Sequence, residues 1–275
     1  RFGYPAGPGV LRYIRENPEL PMRATSTSVD PNVLGSLLNL SLAISVPQLF
    51  AEKPIIHRRY LVPILGVMAL CLGLTMSRGS MVGLGAALIV LAVLRYRKLW
   101  VILGGTLALM LLLPQTQALV RHFLEGFRIQ DLATQMRMGE YKDALILIGR
   151  HPLLGVGFAG SPDIDTYIGV ANVYLLIAEE MGLIGLTSFL VVMGVLLARF
   201  WRTRSLAVGA DLEQLWWGLH AGIIGALVGG IFDHYFFNLD FHHSVTLFWL
   251  VVGLATAATE LVRGHALGRQ ESPGD

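Results

Sequence analysis

The sequence predicts an all-α polytopic membrane protein. Three observations carry that expectation. The 275 residues are 54% hydrophobic and only 15% charged, with a mean hydropathy of +0.60, whereas a soluble domain carries about 25% charge. The apolar residues are gathered into runs long enough to cross a bilayer, which takes about 20 largely apolar residues in a helix. The scarce basic residues lie in the short connections between those runs. The same numbers exclude other classes. A net charge of +2 provides no basic field for nucleic acid. The single cysteine, Cys71, excludes a disulfide framework or a multi-cysteine metal site.

About seven transmembrane helices are expected, over 33–51, 60–77, 79–95, 99–114, 173–200, 215–232 and 244–262. The second and third form a tight hairpin across Ser77-Arg78-Gly79. The fifth is longer than the hydrocarbon requires, so its first turns, with Glu179 and Glu180, are expected to tilt or to stand out of the bilayer. Lys53, Arg58, Arg59, Arg95, Arg97, Lys98, Arg199, Arg202, Arg204, Arg263 and Arg269 fall on one side of this arrangement. The opposite short connections hold only Arg78. Basic loops stay in the cytoplasm, so the C-terminus is expected to be cytoplasmic.

The chain then divides into an outward-facing segment 1–32, a four-helix membrane segment 33–114, a large outward-facing loop 115–172, a three-helix membrane segment 173–262 and a cytoplasmic tail 263–275. Arg1 in place of methionine, and the Pro- and Gly-rich 1–32, read as the continuation of a longer or processed chain. Within the long loop, Met138, Tyr141, Ala144, Leu145 and Ile148 recur at helical spacing and predict an amphipathic helix from Thr134 to Arg150. It should end near Arg150-His151, because Pro152 disfavours helix at the residue before it. Gly155 and Gly157 then allow tight turns, and Ser161-Pro162-Asp163 is turn chemistry.

Four features on the outward side are candidates for chemistry: Arg78 at its hairpin tip, Arg137 in the loop helix, the run from Arg150 to Gly157, and Asp233-His234-Tyr235 with His242-His243. Guanidinium forks match phosphate oxygens and stay charged, so Arg78 and Arg137 together suit a diphosphate. Plainer readings stand beside these. An arginine at the rim serves as an interface anchor, His151 as a helix-end cap, and Gly155-x-Gly157 as a turn. Trp216, Trp217 and Trp249 read as interface-belt and packing residues. Gly222, Gly225, Gly229 and Gly230 read as close helix approaches. Adjacent histidines point apart on a helix, so no metal site is assigned.

An ordered series of short motifs resembles the O-antigen ligase and O-antigen polymerase family. It comprises Arg23-Ala24-Thr25 with Asp30-Pro31-Asn32-Val33-Leu34-Gly35, Ser77-Arg78-Gly79-Ser80 with Arg95-Tyr96-Arg97-Lys98, and Arg137 with Tyr141, Ala144 and Leu145. His151-Pro152-Leu153-Leu154-Gly155-Val156-Gly157, Asn172-Val173-Tyr174-Leu175 and Glu180-Met181-Gly182-Leu183-Ile184-Gly185 complete it. The resemblance implies an integral membrane glycosyltransferase of the bacterial cytoplasmic membrane. Its donor would be an undecaprenyl-diphosphate-linked glycan, its acceptor a glycan, lipid or protein hydroxyl, and it would need no cofactor. It also implies that Arg78 and Arg137 bind the donor diphosphate. The family's histidine, directly before the Asn-x-Tyr-Leu run, falls on Ala171 here, and alanine cannot take a proton. Substitute bases among the outward residues are His151, Asp163, Asp165 and His234. Two further readings remain at this level: a ligase-like protein without catalysis, acting as a subunit among other membrane proteins, and a transporter, which broken helices with polar groups at mid-membrane would signal.

Overall fold

The computed structural model of the chain describes residues 22–28, 30–112, 117, 120, 132–158 and 169–271. These are helical, with short 3-10 turns and no strand among the described residues. The helices are α1 (Pro31–Ser45), α2 (Arg58–Thr75), α3 (Arg78–Leu94), α4 (Leu99–Leu112), α5 (Leu132–Arg150), α6 (Val173–Thr203), α7 (Glu213–Gly229) and α8 (His242–Glu271).

A helix stands at each of the seven expected apolar runs, but they are not equivalent as spans. Among the described residues, four stretches are long and apolar enough to cross a membrane: Pro31–Phe50, Arg58–Thr75, Val173–Thr203 and Leu239–Leu267. The helices Arg78–Leu94 and Leu99–Leu109 are apolar but shorter. Large apolar side chains remain on the outside, among them Val101 and Leu112, each 78% exposed, which is the surface a lipid solvent requires.

Small residues set the packing at the centre. α7 packs against α3 and α1. A Cβ on Gly83 would lie 2.5 Å from Gly225 O, and one on Gly218 2.4 Å from Ile44 O. The backbones are therefore in contact, as small residues permit between membrane helices. The pairs Gly79–Gly229, Gly83–Gly225 and Ile44–Gly218 run in opposite directions along the chain, so α7 is antiparallel to both α1 and α3. The end of the bundle carrying the start of α1 and α3 thus also carries the end of α7. At the other end, Arg95 Nε donates to Glu213 Oε1, joining the end of α3 to the start of α7. Glu213 Oε2 also accepts from Gly209 N at 2.7 Å.

Trp216 and Trp217 are core residues, not belt residues, at 0% and 2% exposure. Their rings pack with Phe200 and His220, with centroids 5.1 Å apart for Phe200–Trp216 and 4.4 Å for Trp216–His220. Aromatic edges and faces arranged this way fill volume and fix geometry together.

α6 is broken. Gly182 has φ 67° and ψ −173° inside the helix, a left-handed conformation that glycine adopts without penalty. The break frees the carbonyls of Glu179 and Glu180 and the N–H groups of Leu183 and Ile184. The loop after α5 supplies their partners. Val156 N donates to Glu179 O and Gly157 N to Glu180 O, both at 2.8 Å, while Leu183 N and Ile184 N donate to Pro152 O and Leu153 O at 2.8 and 3.4 Å. Approach is so close that a Cβ on Gly182 would lie 2.1 Å from Leu153 O. This explains the excess length of the fifth apolar run. The run from His151 to Gly157 is accordingly a clasp on a kinked helix, with Gly155 and Gly157 at positive φ as turn residues.

A geometric candidate site at one end of the bundle

The end of the bundle that gathers the starts of α1, α3 and α6 and the end of α7 is wired by capping side chains. Asp30 caps α1, accepting from Asn32 N at 2.7 Å and Val33 N at 3.4 Å, with Pro31 pre-set for the first turn. The same carboxylate oxygen accepts from Tyr235 OH at 3.2 Å. Asn172 caps α6 through Tyr174 N and Leu175 N at 2.9 and 3.0 Å, and its Nδ2 donates to Ile231 O at 2.9 Å. Val173 N donates to Gly230 O at 2.8 Å. Each cap thus does two things. It satisfies helix-end N–H groups and it ties the 230–238 turn to the rest of this end.

Arg78 opens α3, with Ser77 as the residue before the helix. Ser77 and Ser80 hydroxyls lie 2.9 Å apart and both are buried. Next to Arg78, Gly79 packs on the end of α7, where an added Cβ would lie 3.0 Å from Phe232 Cβ.

Arg137 reaches the same residue from another element. Its Nη1 donates to Phe232 O at 2.8 Å, and Nη2 lies 4.0 Å from Asp233 Oδ2. Phe232 is therefore flanked by the backbone beside Arg78 and by the guanidinium of Arg137. Burial raises the Asp233 carboxyl above the usual carboxylate range. Arg137 and His234 pull against that rise, and Asp30 adds to it.

The face of α5 turned to this end differs from the one its apolar residues suggest. Met138 and Leu145 are 47% and 60% exposed, whereas Ala144 and Leu147 are at 0%. The inward stripe runs Arg137, Glu140, Tyr141, Ala144 and Leu147. Two polar groups lead it because they hydrogen-bond to backbone, while Tyr141 and Ala144 pack with Val170 and Leu176. Glu140 Oε2 accepts from Ala171 N at 3.1 Å, and Tyr141 OH donates to Ala171 O at 3.4 Å. Burial raises the Tyr141 phenol above its ordinary value, which keeps it a proton-bearing donor. Ala171, 8% exposed, thus has both backbone groups engaged by α5.

The sequence candidates now separate. His234 sits here: its ring Nδ1 lies 3.0 Å from Val170 O, and its backbone N–H donates to Asp233 Oδ1 at 3.1 Å. His151 does not. It is exposed past the end of α5, 14 residues from Arg137, which is about 20 Å along a helix. Asp163 and Asp165 lie outside the described residues, as does the Ser161–Asp163 turn. His242 and His243 open α8 with ring centroids 5.9 Å apart, and no group of three His, Cys, Asp or Glu with metal spacing occurs among the described residues. Glu140, Tyr141 and Asn172 enter the site without having been singled out for it. Their roles are hydrogen bonds to backbone atoms distant in sequence, for which no residue pattern exists.

Residues 63–190, from within α2 into α6, match the family described as O-antigen ligase. That stretch contains Arg78, Arg137 and Ala171, while Asp233 and His234 lie beyond it. No curated protein matches the chain.

Proposed function

With residues 63–190 placing the chain in an O-antigen ligase-like family of membrane proteins, we propose that it transfers a glycan from a polyprenyl diphosphate to an acceptor hydroxyl. The acceptor oxygen attacks the anomeric carbon and forms a C–O bond as the bond from that carbon to the diphosphate oxygen breaks. The electron pair leaves with the lipid diphosphate and the configuration inverts. Arg78 and Arg137 stabilise the charge that develops on the leaving group, which is the role fixed cations play best in a preorganised site. The observation that carries the reading is their common neighbour. Arg137 donates to Phe232 O at 2.8 Å, and the residue beside Arg78 packs its backbone on Phe232. The basic residues of the opposite short loops support an outward position for this end, where a lipid-linked glycan and the acceptor, or another membrane subunit, would meet it.

The test is glycan transfer by the purified protein in nanodiscs with an undecaprenyl-diphosphate-linked donor and a lipid or glycan acceptor. Arg78→Ala and Arg137→Ala are each expected to cost about 10²–10³-fold in rate, the loss typical of one oxyanion-stabilising donor. Full activity in both variants overturns the clamp. A wild-type protein without transfer, copurifying stoichiometrically with membrane partners, establishes instead the subunit role to which Ala171 points.

A further inference from the structure

We propose that His234 is the general base of this site, taking the acceptor's proton at Nε2. The assignment rests on the transfer reading above. Its warrant is the way the ring is held. A backbone carbonyl has no proton to give, so the ring nitrogen that meets Val170 O at 3.0 Å carries the hydrogen. The lone pair of the neutral imidazole then resides on Nε2. That bond fixes the tautomer and the ring direction together, the service a second partner performs for a catalytic histidine.

The ring is steadied on its other sides by Tyr235, with centroids 4.8 Å apart and planes near perpendicular, and by Phe241 at 6.3 Å. His234 is half-buried, so it is both held and reachable. The neighbouring carboxylates are committed elsewhere. Asp30 caps α1 and accepts from Tyr235. Asp233 directs one oxygen to His234 N and the other towards Arg137. Glu140 accepts from Ala171 N. Nε2 of His234 has no hydrogen-bond partner among the described residues. Asp233 Oδ1 meets the main-chain N–H of His234 and Oδ2 lies 4.0 Å from Arg137, so the carboxylate ties the turn that bears the ring to the clamp.

In the step itself the acceptor O–H proton passes to Nε2 as the oxygen bonds to the anomeric carbon. The diphosphate departs with the electron pair of the broken bond. The imidazolium then releases its proton to water, and no oxidant or further co-reactant is required.

Two variants separate a base from a structural ring. In His234→Asn the side-chain amide nitrogen stands near the place of Nδ1 and keeps the donor to Val170 O, but carries no base. His234→Ala removes both. Each protein is reconstituted in nanodiscs, and three quantities are read: transfer rate, binding of the undecaprenyl-diphosphate-linked donor, and the thermal midpoint. The expected result is a rate loss of about 10²–10⁴-fold, the range for a lost general base, in both variants. Donor binding stays within about threefold of wild type, and the midpoint of His234→Asn is unchanged. A rate for His234→Asn within threefold of wild type overturns the assignment. So does a loss of rate matched by an equal loss of donor binding or of folded protein. Wild-type protein that binds donor but transfers nothing overturns the transfer reading and this assignment with it, a pattern distinct from a failed base.

Discussion

Asp233 is the residue on which this end of the molecule is most finely balanced. Its carboxyl is buried, and burial raises its pKa against the pull of Arg137 and His234. An acid whose folded pKa is raised binds more protons folded than unfolded between the two values. Stability therefore falls as pH rises from the unfolded value, near 3.8, through the folded one, and is flat above it. Asp233→Asn has no proton to lose. Its thermal midpoint in detergent should equal or exceed the wild-type value at pH 7, and the acid-side decline should disappear. A midpoint at pH 7 well below wild type would show that the ionised carboxylate is a net stabiliser. Arg137→Ala makes the opposite change, removing the cation that favours the charged form, and should extend the decline to higher pH. Combining it with Asp233→Asn should restore the midpoint without restoring transfer, because the clamp stays lost while the orphaned carboxyl is gone. At this scale the sequence was informative about residue types. Arg78, Arg137 and His234 could be picked out because fixed cations and a titratable ring are scarce in an apolar chain. Their wiring could not, because Glu140 and Tyr141 act on the backbone of Ala171, thirty residues away in sequence.

Among elements, the α3–α7 contact and the break in α6 make separate demands. At Gly83 a methyl group would fall 2.5 Å from Gly225 O and 2.7 Å from Asn39 Nδ2, and α3 cannot yield without moving from α7. Gly83→Ala should cost about 1–3 kcal/mol, the usual toll of overpacking. Gly253→Ala, on α8 with nothing within 4 Å of the added carbon, should leave the midpoint unchanged. Equal midpoints for the two variants would refute backbone contact between α3 and α7. Gly182→Ala should be worse than either, since it adds a strained φ to a clash with Leu153 O. Helix positions were legible from the length of the apolar runs and, for α5, from helical spacing. The kink was not. Glycine in an apolar run is ordinary in membrane helices, and nothing local marks Gly182 as a breaker. The break holds because the Pro152–Gly157 loop brings its own backbone groups to the freed ones, as an apolar medium requires. The α5 face was misjudged for a related reason. Periodicity counted Met138 and Leu145 as inward, although the inward stripe begins with Arg137 and Glu140, whose partners are main-chain groups.

Across the whole molecule, the antiparallel run of α7 against α1 and α3 makes the two ends chemically unlike. One end collects Asp30, Arg78, Arg137, Asp233 and His234. The other joins Arg95 to Glu213, with Arg97, Lys98, Arg202 and Arg204 nearby in sequence. That contrast, together with the retention of short basic loops in the cytoplasm, supports the proposed orientation. Asp240 and Asp211 are both exposed, one in the turn before α8 and the other in the connection before α7. In a Cys71→Ser background, which removes the single native thiol, Asp240→Cys should react with a membrane-impermeant maleimide added to spheroplasts. Asp211→Cys should react only after the membrane is opened. Reversed labelling would place the arginine and histidine cluster on the cytoplasmic face, where the proposed acceptor side is absent. Labelling of both sites from outside would remove the spanning arrangement itself. The site and the topology therefore stand on one geometric fact, that Gly83 faces Gly225 and Gly79 faces Gly229. That register brings α3's first turn and α7's last to the same surface, and with them Arg78 and the turn bearing His234.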